Sequence, residues 1–110
     1  MGDAWFTGCA DELARCLVDA RACAEACEAY LGRATGDEQQ RAVGILAPSA
    51  AVSRVLIELI DQPPQLILAA VRLCYDLSSA AADELGAPDE VVAALSGVAA
   101  SARALLESTG

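Results

Sequence analysis

Four of the five cysteines in this chain of 110 residues are spaced by seven, seven and four positions, as Cys9, Cys16, Cys23 and Cys27. An α-helix turns about 100° per residue, so seven residues make about two turns and four make slightly more than one. The spacing therefore predicts a long helix with all four thiols on one side. Since free cysteine is a small, easily buried side chain, that side is expected to face the core of a helical bundle.

Composition agrees with close helix packing. Hydrophobic residues make up 55% of the chain and aromatic residues only 4%. A chain rich in alanine and leucine favours helices over sheets, and 110 residues suffice for one core. We therefore expect a single domain over residues 1–110.

Turn and capping residues divide the chain into four helices. They are predicted from about Thr7 or Gly8 to Leu31, from an N-cap at Asp37 to about Asp61, from Leu66 to Leu85, and from about Pro88 or Asp89 to Glu107. Gly32 is expected just after the first helix, and Gly86 with Pro88 after the third. Short connections between helices of similar length predict an all-α fold, an antiparallel up-down-up-down four-helix bundle.

Two features of the middle helices leave alternatives open. Pro48 either kinks the second helix or begins its main part. The apolar residues of the second helix form a broad predicted face: Val52, Val55, Leu56, Leu59 and Ile60. On the third helix the predicted inward residues are Leu66, Ala70, Cys74, Leu77, Ala81 and Leu85. Such wide faces exceed what one bundle needs and suggest a homo-oligomer through exposed apolar helix faces.

Charge excludes several partners. The formal net charge is −9, with seven basic residues and no histidine. Scattered basic residues cannot form a phosphate-binding stripe, so nucleic acid and anionic membranes are not expected partners.

The apolar runs look too short to span a bilayer, and no targeting signal is recognised. An odd number of cysteines, mostly on one helix, indicates reduced thiols and a cytoplasmic location.

The aligned thiols have two interpretations, core packing or a site for a soft metal ion. Cu(I) suits them best because it accepts two or three thiolates without a tetrahedral cage. Cys23 and Cys27 lie one turn apart and are the first candidates; Cys16 lies about 10 Å further along the helix. A thiol from another helix, Cys74, could complete the site. Zinc is disfavoured because one straight helix cannot surround it with four ligands.

Catalysis finds no support in the sequence. Without histidine, neither a Cys–His nor a Ser–His pair can form. Glutamates of the first helix, such as Glu12, Glu25 and Glu28, fall on its outer faces. We therefore expect that the protein is not an enzyme.

The segment CLVDARACAEACEAYL, residues 16–31, resembles the first helix of the cysteine-rich four-helix-bundle copper-storage proteins. By this resemblance, Cys23 and Cys27 correspond to one of the family's C-x-x-x-C pairs, and Cys16 and Cys9 to further inward thiols. Cys74 and Ser78 resemble a pair whose second member is serine. Thiol positions of the other helices carry Val52, Leu56, Leu59 and Leu95. The resemblance thus implies a cysteine-poor, divergent member that binds one or a few Cu(I) ions.

Two other functions remain open from the sequence. One is an interaction or scaffold module, such as a homodimer, that kept the fold and lost copper storage. The other is a bundle that binds a small apolar ligand in space left by its many alanines.

Overall fold

The computed structural model describes the backbone of residues 3–85 and 89–109, and side chains of residues 10–85 and 90–109. Four helices account for nearly all of it: α1 (Asp3–Arg33), α2 (Gly36–Glu58), α3 (Pro64–Leu85) and α4 (Asp89–Thr109). A short 3₁₀ turn, Leu59–Asp61, follows α2. Both α1 and α3 pack against α2 and α4. The predicted all-α four-helix bundle is confirmed.

Side-chain contacts between helices show the antiparallel register. Tyr30, near the end of α1, donates a hydrogen bond to Glu38 at the start of α2. Arg33 at the end of α1 contacts Glu90 at the start of α4, with 2.7 Å between Nη2 and Oε1. Ser101, late in α4, donates to Asp19 in the middle of α1. Therefore α1 runs antiparallel to both of its neighbours.

One apolar core runs along the bundle. Every helix contributes fully buried aliphatic or cysteine side chains, so the core is shared by all four. The largest fully buried aliphatic residues in it are Leu46, Leu56, Ile67, Val71, Val91, Leu95, Val98 and Leu105. Burial of these side chains between the helices stabilises the four helices, because isolated helices are only marginally stable in water.

Most observed helix ends lie within two residues of the predicted ones, but α1 begins at Asp3, four or five residues before the predicted start at Thr7 or Gly8. The prediction was wrong there because helical backbone continues through Gly8, which the sequence suggested as a boundary. Helix α1 continues through Gly32 to Arg33, and α2 begins at Gly36 with Thr35 as its N-cap, not at Asp37. Pro48 lies inside α2, so it does not begin a separate helix. The sequence prediction that Gly86 and Pro88 end the third helix falls outside the described residues.

The broad apolar faces predicted for the middle helices are only partly buried. Val52 and Leu56 are buried, but Val55 is 47% exposed and Ile60 40%. Leu66, predicted to point inward, is 47% exposed. The exposure of Val55 and Ile60 agrees with the prediction that this face is wider than one bundle buries. The prediction that Leu66 points inward was wrong, because helical periodicity alone does not fix how wide a face the neighbouring helices cover.

Two helical segments are long and apolar enough to cross a membrane by length and composition alone, Gly36–Asp61 and Glu90–Thr109. The expectation that every apolar run is too short therefore fails by this measure. It fails because small residues such as alanine and glycine join short aliphatic runs into a continuous apolar window. In the bundle, both helices bury one face against their neighbours.

Candidate thiol site in the bundle core

The helix face predicted from the cysteine spacing is the buried face of α1. Cys16, Cys23 and Cys27 are fully buried, and all are free thiols. Cys74 of α3 is also fully buried and free. The fifth candidate ligand, Cys9, lies on α1, but its side chain is outside the described residues.

Helix α2 brings two buried hydroxyls to these thiols. Ser49 Oγ lies 3.7 Å from Cys23 Sγ, and Ser53 Oγ lies 3.7 Å from Cys74 Sγ. Both serines are fully buried. They are four residues apart, so α2 presents them on one face, as α1 presents Cys23 and Cys27.

A third hydroxyl, from α3, links the two sides. Ser78 Oγ lies 2.7 Å from Ser49 Oγ and 4.0 Å from Cys74 Sγ. The chain of contacts Cys23–Ser49–Ser78–Cys74–Ser53 therefore crosses the core between α1, α2 and α3. Together with Cys27 we call these six residues the thiol–hydroxyl cluster.

Cys23 is the thiol of the cluster that loses its proton first. Its pKa is lowered, foremost by a hydrogen bond from the Cys27 thiol and then by the hydroxyls of Ser49, Ser53 and Ser78, which together outweigh the effect of burial. The pKa of Cys27 is raised because its proton is held in that bond to Cys23. The pKa values of these two neighbouring thiols therefore shift in opposite directions, and Cys27 keeps its proton when Cys23 ionises.

Cys16 and Cys74, the other two thiols whose side chains the structure describes, resist ionisation. Burial raises the pKa of Cys16 to about 12, with smaller contributions from Cys74 and Asp19. Burial also raises the pKa of Cys74, against the lowering effect of Ser53 and Ser78. At neutral pH both are small apolar core residues.

The donor set limits which metals could be held. Among the described residues, no three cysteine, aspartate or glutamate side chains come together as a metal-binding group. Tetrahedral zinc needs four such ligands, and the described residues do not provide them. The adjacent Cys23 and Cys27 thiols fit an ion that accepts two sulfur ligands, which is a property of Cu(I).

Sequence reasoning missed the serines of α2. Val52, Leu56 and Leu59 were expected at the thiol positions of this helix, whereas Ser49 and Ser53 are the residues that contact the thiols. A usable signal was present, since serine pairs at a spacing of four repeat the spacing of Cys23 and Cys27. Serine inside a helix usually faces solvent or bonds to the backbone, so it was not counted as core.

The grooves of the described part of the bundle lie between helices at the surface. The groove between α3 and α4 has a volume of about 400 Å³ and is lined by Tyr75, Ser79, Ala99 and Arg103 among others. A smaller apolar groove of about 310 Å³ is lined by Leu17, Val18, Arg21, Ile57 and Ile60. Neither groove includes a residue of the thiol–hydroxyl cluster.

Comparison with protein-family models, with curated proteins and with solved structures finds no match to this chain. The resemblance to copper-storage proteins therefore depends on the residues of α1 and α3 alone.

Proposed function

We propose that this protein binds one Cu(I) ion through the thiolates of Cys23 and Cys27. The observation that carries the proposal is a pair of fully buried free thiols one helical turn apart on α1, of which Cys23 is favoured to ionise. Cu(I) is soft and monovalent, so two thiolates satisfy its preference for sulfur. Both sulfurs bind as thiolates, so protons compete with the metal and the affinity falls as the pH falls.

The side chains around Cys23 and Cys27 suit a negatively charged Cu(I) complex. A bis-thiolate complex of Cu(I) carries one negative charge, and a buried charge is costly unless hydrogen bonds stabilise it. The hydroxyl of Ser49 lies 3.7 Å from Cys23 Sγ and can donate to it, and Ser49 is in turn hydrogen-bonded to Ser78. Cys74 also has hydroxyl neighbours, Ser53 and Ser78, but burial outweighs them and raises its pKa. Burial raises the pKa of Cys16 as well, and both raised pKa values count against a role as primary ligands.

The first prediction concerns the two ligands. Reduced, metal-free protein is titrated without oxygen against a chromogenic Cu(I) chelator, and the copper retained by the protein is measured. Cys23→Ser and Cys27→Ser should each weaken binding by at least about tenfold, because each removes one of two sulfur ligands. Circular dichroism should show an intact helical fold in both variants.

Cys16→Ser is the matched control for the ligand test. It removes an equally buried thiol of the same helix at a different level of the core. It should leave copper retention unchanged. If the chelator keeps all copper at micromolar wild-type protein, or if the three variants behave alike, Cys23 and Cys27 do not form the site.

An interaction module is the second candidate, and the exposed aliphatic residues of neighbouring helices favour it. Val55 of α2 and Leu66 and Leu73 of α3 are each nearly half exposed. Two copies of this acidic chain repel each other, so they would meet best through such uncharged residues. Sedimentation of the metal-free protein tests it: a dimer that dissociates on Leu73→Glu supports this function, and a monomer at high concentration opposes it.

A further inference from the structure

Three helices contribute a pair of residues, spaced by four, to the thiol–hydroxyl cluster. Helix α1 contributes Cys23 and Cys27, α2 contributes Ser49 and Ser53, and α3 contributes Cys74 and Ser78. All six are fully buried. Half of the positions carry sulfur and half carry oxygen.

Oxygen and sulfur differ in what they can bind at these positions. A serine hydroxyl is not ionised at physiological pH and is a hard donor, so it does not replace a thiolate toward Cu(I). It does donate and accept hydrogen bonds, as the 2.7 Å distance between the hydroxyls of Ser49 and Ser78 shows. Each serine thus supports the thiols without adding a metal ligand.

A cysteine in place of any of these serines would bring its thiol close to a cysteine that is already in the core. Ser49 already contacts Cys23, and Ser53 and Ser78 already contact Cys74, at 3.7 to 4.0 Å. A sulfur atom at position 53 would place two thiols side by side between α2 and α3. A sulfur atom at position 49 would extend the Cys23–Cys27 pair.

We propose that Ser49, Ser53 and Ser78 are the capacity-determining residues of the core, because their hydroxyls restrict it to a single two-thiolate ion. This inference rests on the proposed Cu(I) function. By this inference, the three serines are the reason that the core holds one Cu(I) ion and not several.

The test compares Cu(I) stoichiometry in serine-to-cysteine variants. The triple variant Ser49→Cys/Ser53→Cys/Ser78→Cys is titrated with Cu(I) under reducing conditions against the same chelator. Wild-type protein should retain about one ion and the triple variant about two or more, since new thiols adjoin old ones. Ser53→Cys alone, a smaller change to the packing, should also retain more copper than wild type.

Ser101→Cys is the matched control. Ser101 is a buried serine of α4 that bonds to Asp19 and is not part of the cluster. It should add no copper, because its thiol would have no neighbouring thiol among the cluster residues. Equal stoichiometry in Ser53→Cys, the triple variant and Ser101→Cys, in folded protein, would overturn the proposal.

The two proposals fail differently. Wild-type protein that retains no copper contradicts the proposed function, whatever the variants do. Wild-type protein that retains one ion, together with variants that also retain one, contradicts only the role of the serines. Wild-type protein that retains one ion, together with a gain in the triple variant over Ser101→Cys, supports both proposals.

Discussion

Neighbouring hydrogen-bond donors, first the Cys27 thiol and then nearby hydroxyls, distinguish the equally buried thiols of α1 at the residue scale. Cys16 and Cys23 lie two turns apart on the same face and are equally buried. Burial raises the pKa of Cys16 to about 12, whereas the hydrogen bonds from Cys27 and the serines lower that of Cys23. The same side chain on the same helix is therefore a core residue at one level and a candidate ligand at the next.

Cys16 should make the metal-free protein less stable in alkali. Its pKa is higher in the folded chain than in the unfolded one, so its stabilising effect is complete below the unfolded pKa of 9.0 and is lost as the pH rises toward about 12. Between about pH 8 and about pH 10.5 this loss is about 2 kcal/mol. In urea unfolding at both pH values, Cys16→Ala should lose less stability than wild type.

Val98→Ala is the control for the alkaline experiment. Val98 is fully buried on α4, and its truncation leaves a cavity without removing an ionisable group. It should lower stability by the same amount at both pH values. A wild-type pH dependence that persists unchanged in Cys16→Ala would show that another group is responsible.

At the scale of the element, the start of α2 depends on a glycine. Gly36 has φ of 62°, in the left-handed region that glycine adopts without strain. Thr35, the N-cap, makes no capping hydrogen bond with its side chain. The backbone conformation of Gly36 is thus the local feature that directs the chain from α1 into α2.

Gly36→Ala should destabilise the protein by about 1 kcal/mol, because alanine is strained at positive φ. A new Cβ would meet no atom within 4 Å, so steric contact adds nothing. Gly97→Ala, in α4 and equally free of contacts, should instead stabilise by about 0.5–1 kcal/mol. Urea midpoints that move in the same direction for both variants would contradict this explanation.

The elements also show what a sequence of this kind can and cannot predict. The cysteine spacing predicted the buried face of α1 correctly at Cys16, Cys23 and Cys27, since helical geometry fixes it. The apolar pattern of α3 could not predict that Leu66 remains exposed, because the width of a buried face depends on neighbouring helices. The role of Ser49 could not be predicted either, because its contact partner, Cys23, lies on another helix.

Charge and shape act together at the scale of the whole molecule. The chain carries a formal charge of −9 on a bundle measuring 50 × 20 × 17 Å. The described ion pairs are few and exposed, and such pairs contribute little to stability. At low ionic strength the screening length is about 30 Å, longer than the bundle is wide, so acidic residues on opposite sides still repel.

Salt should therefore stabilise this protein. Raising NaCl from about 10 mM to about 0.5 M should raise the urea midpoint of the metal-free chain, because screening relieves repulsion in the compact state more than in the unfolded one. Chloride is preferred to sulfate, which also strengthens apolar burial. The double variant Glu25→Gln/Asp76→Asn, at two exposed positions, lowers the negative charge and should reduce the salt effect. A midpoint that falls with salt would mean that local attractions, such as the pair of Arg54 and Glu28 at 2.7 Å, outweigh the repulsion of the whole chain.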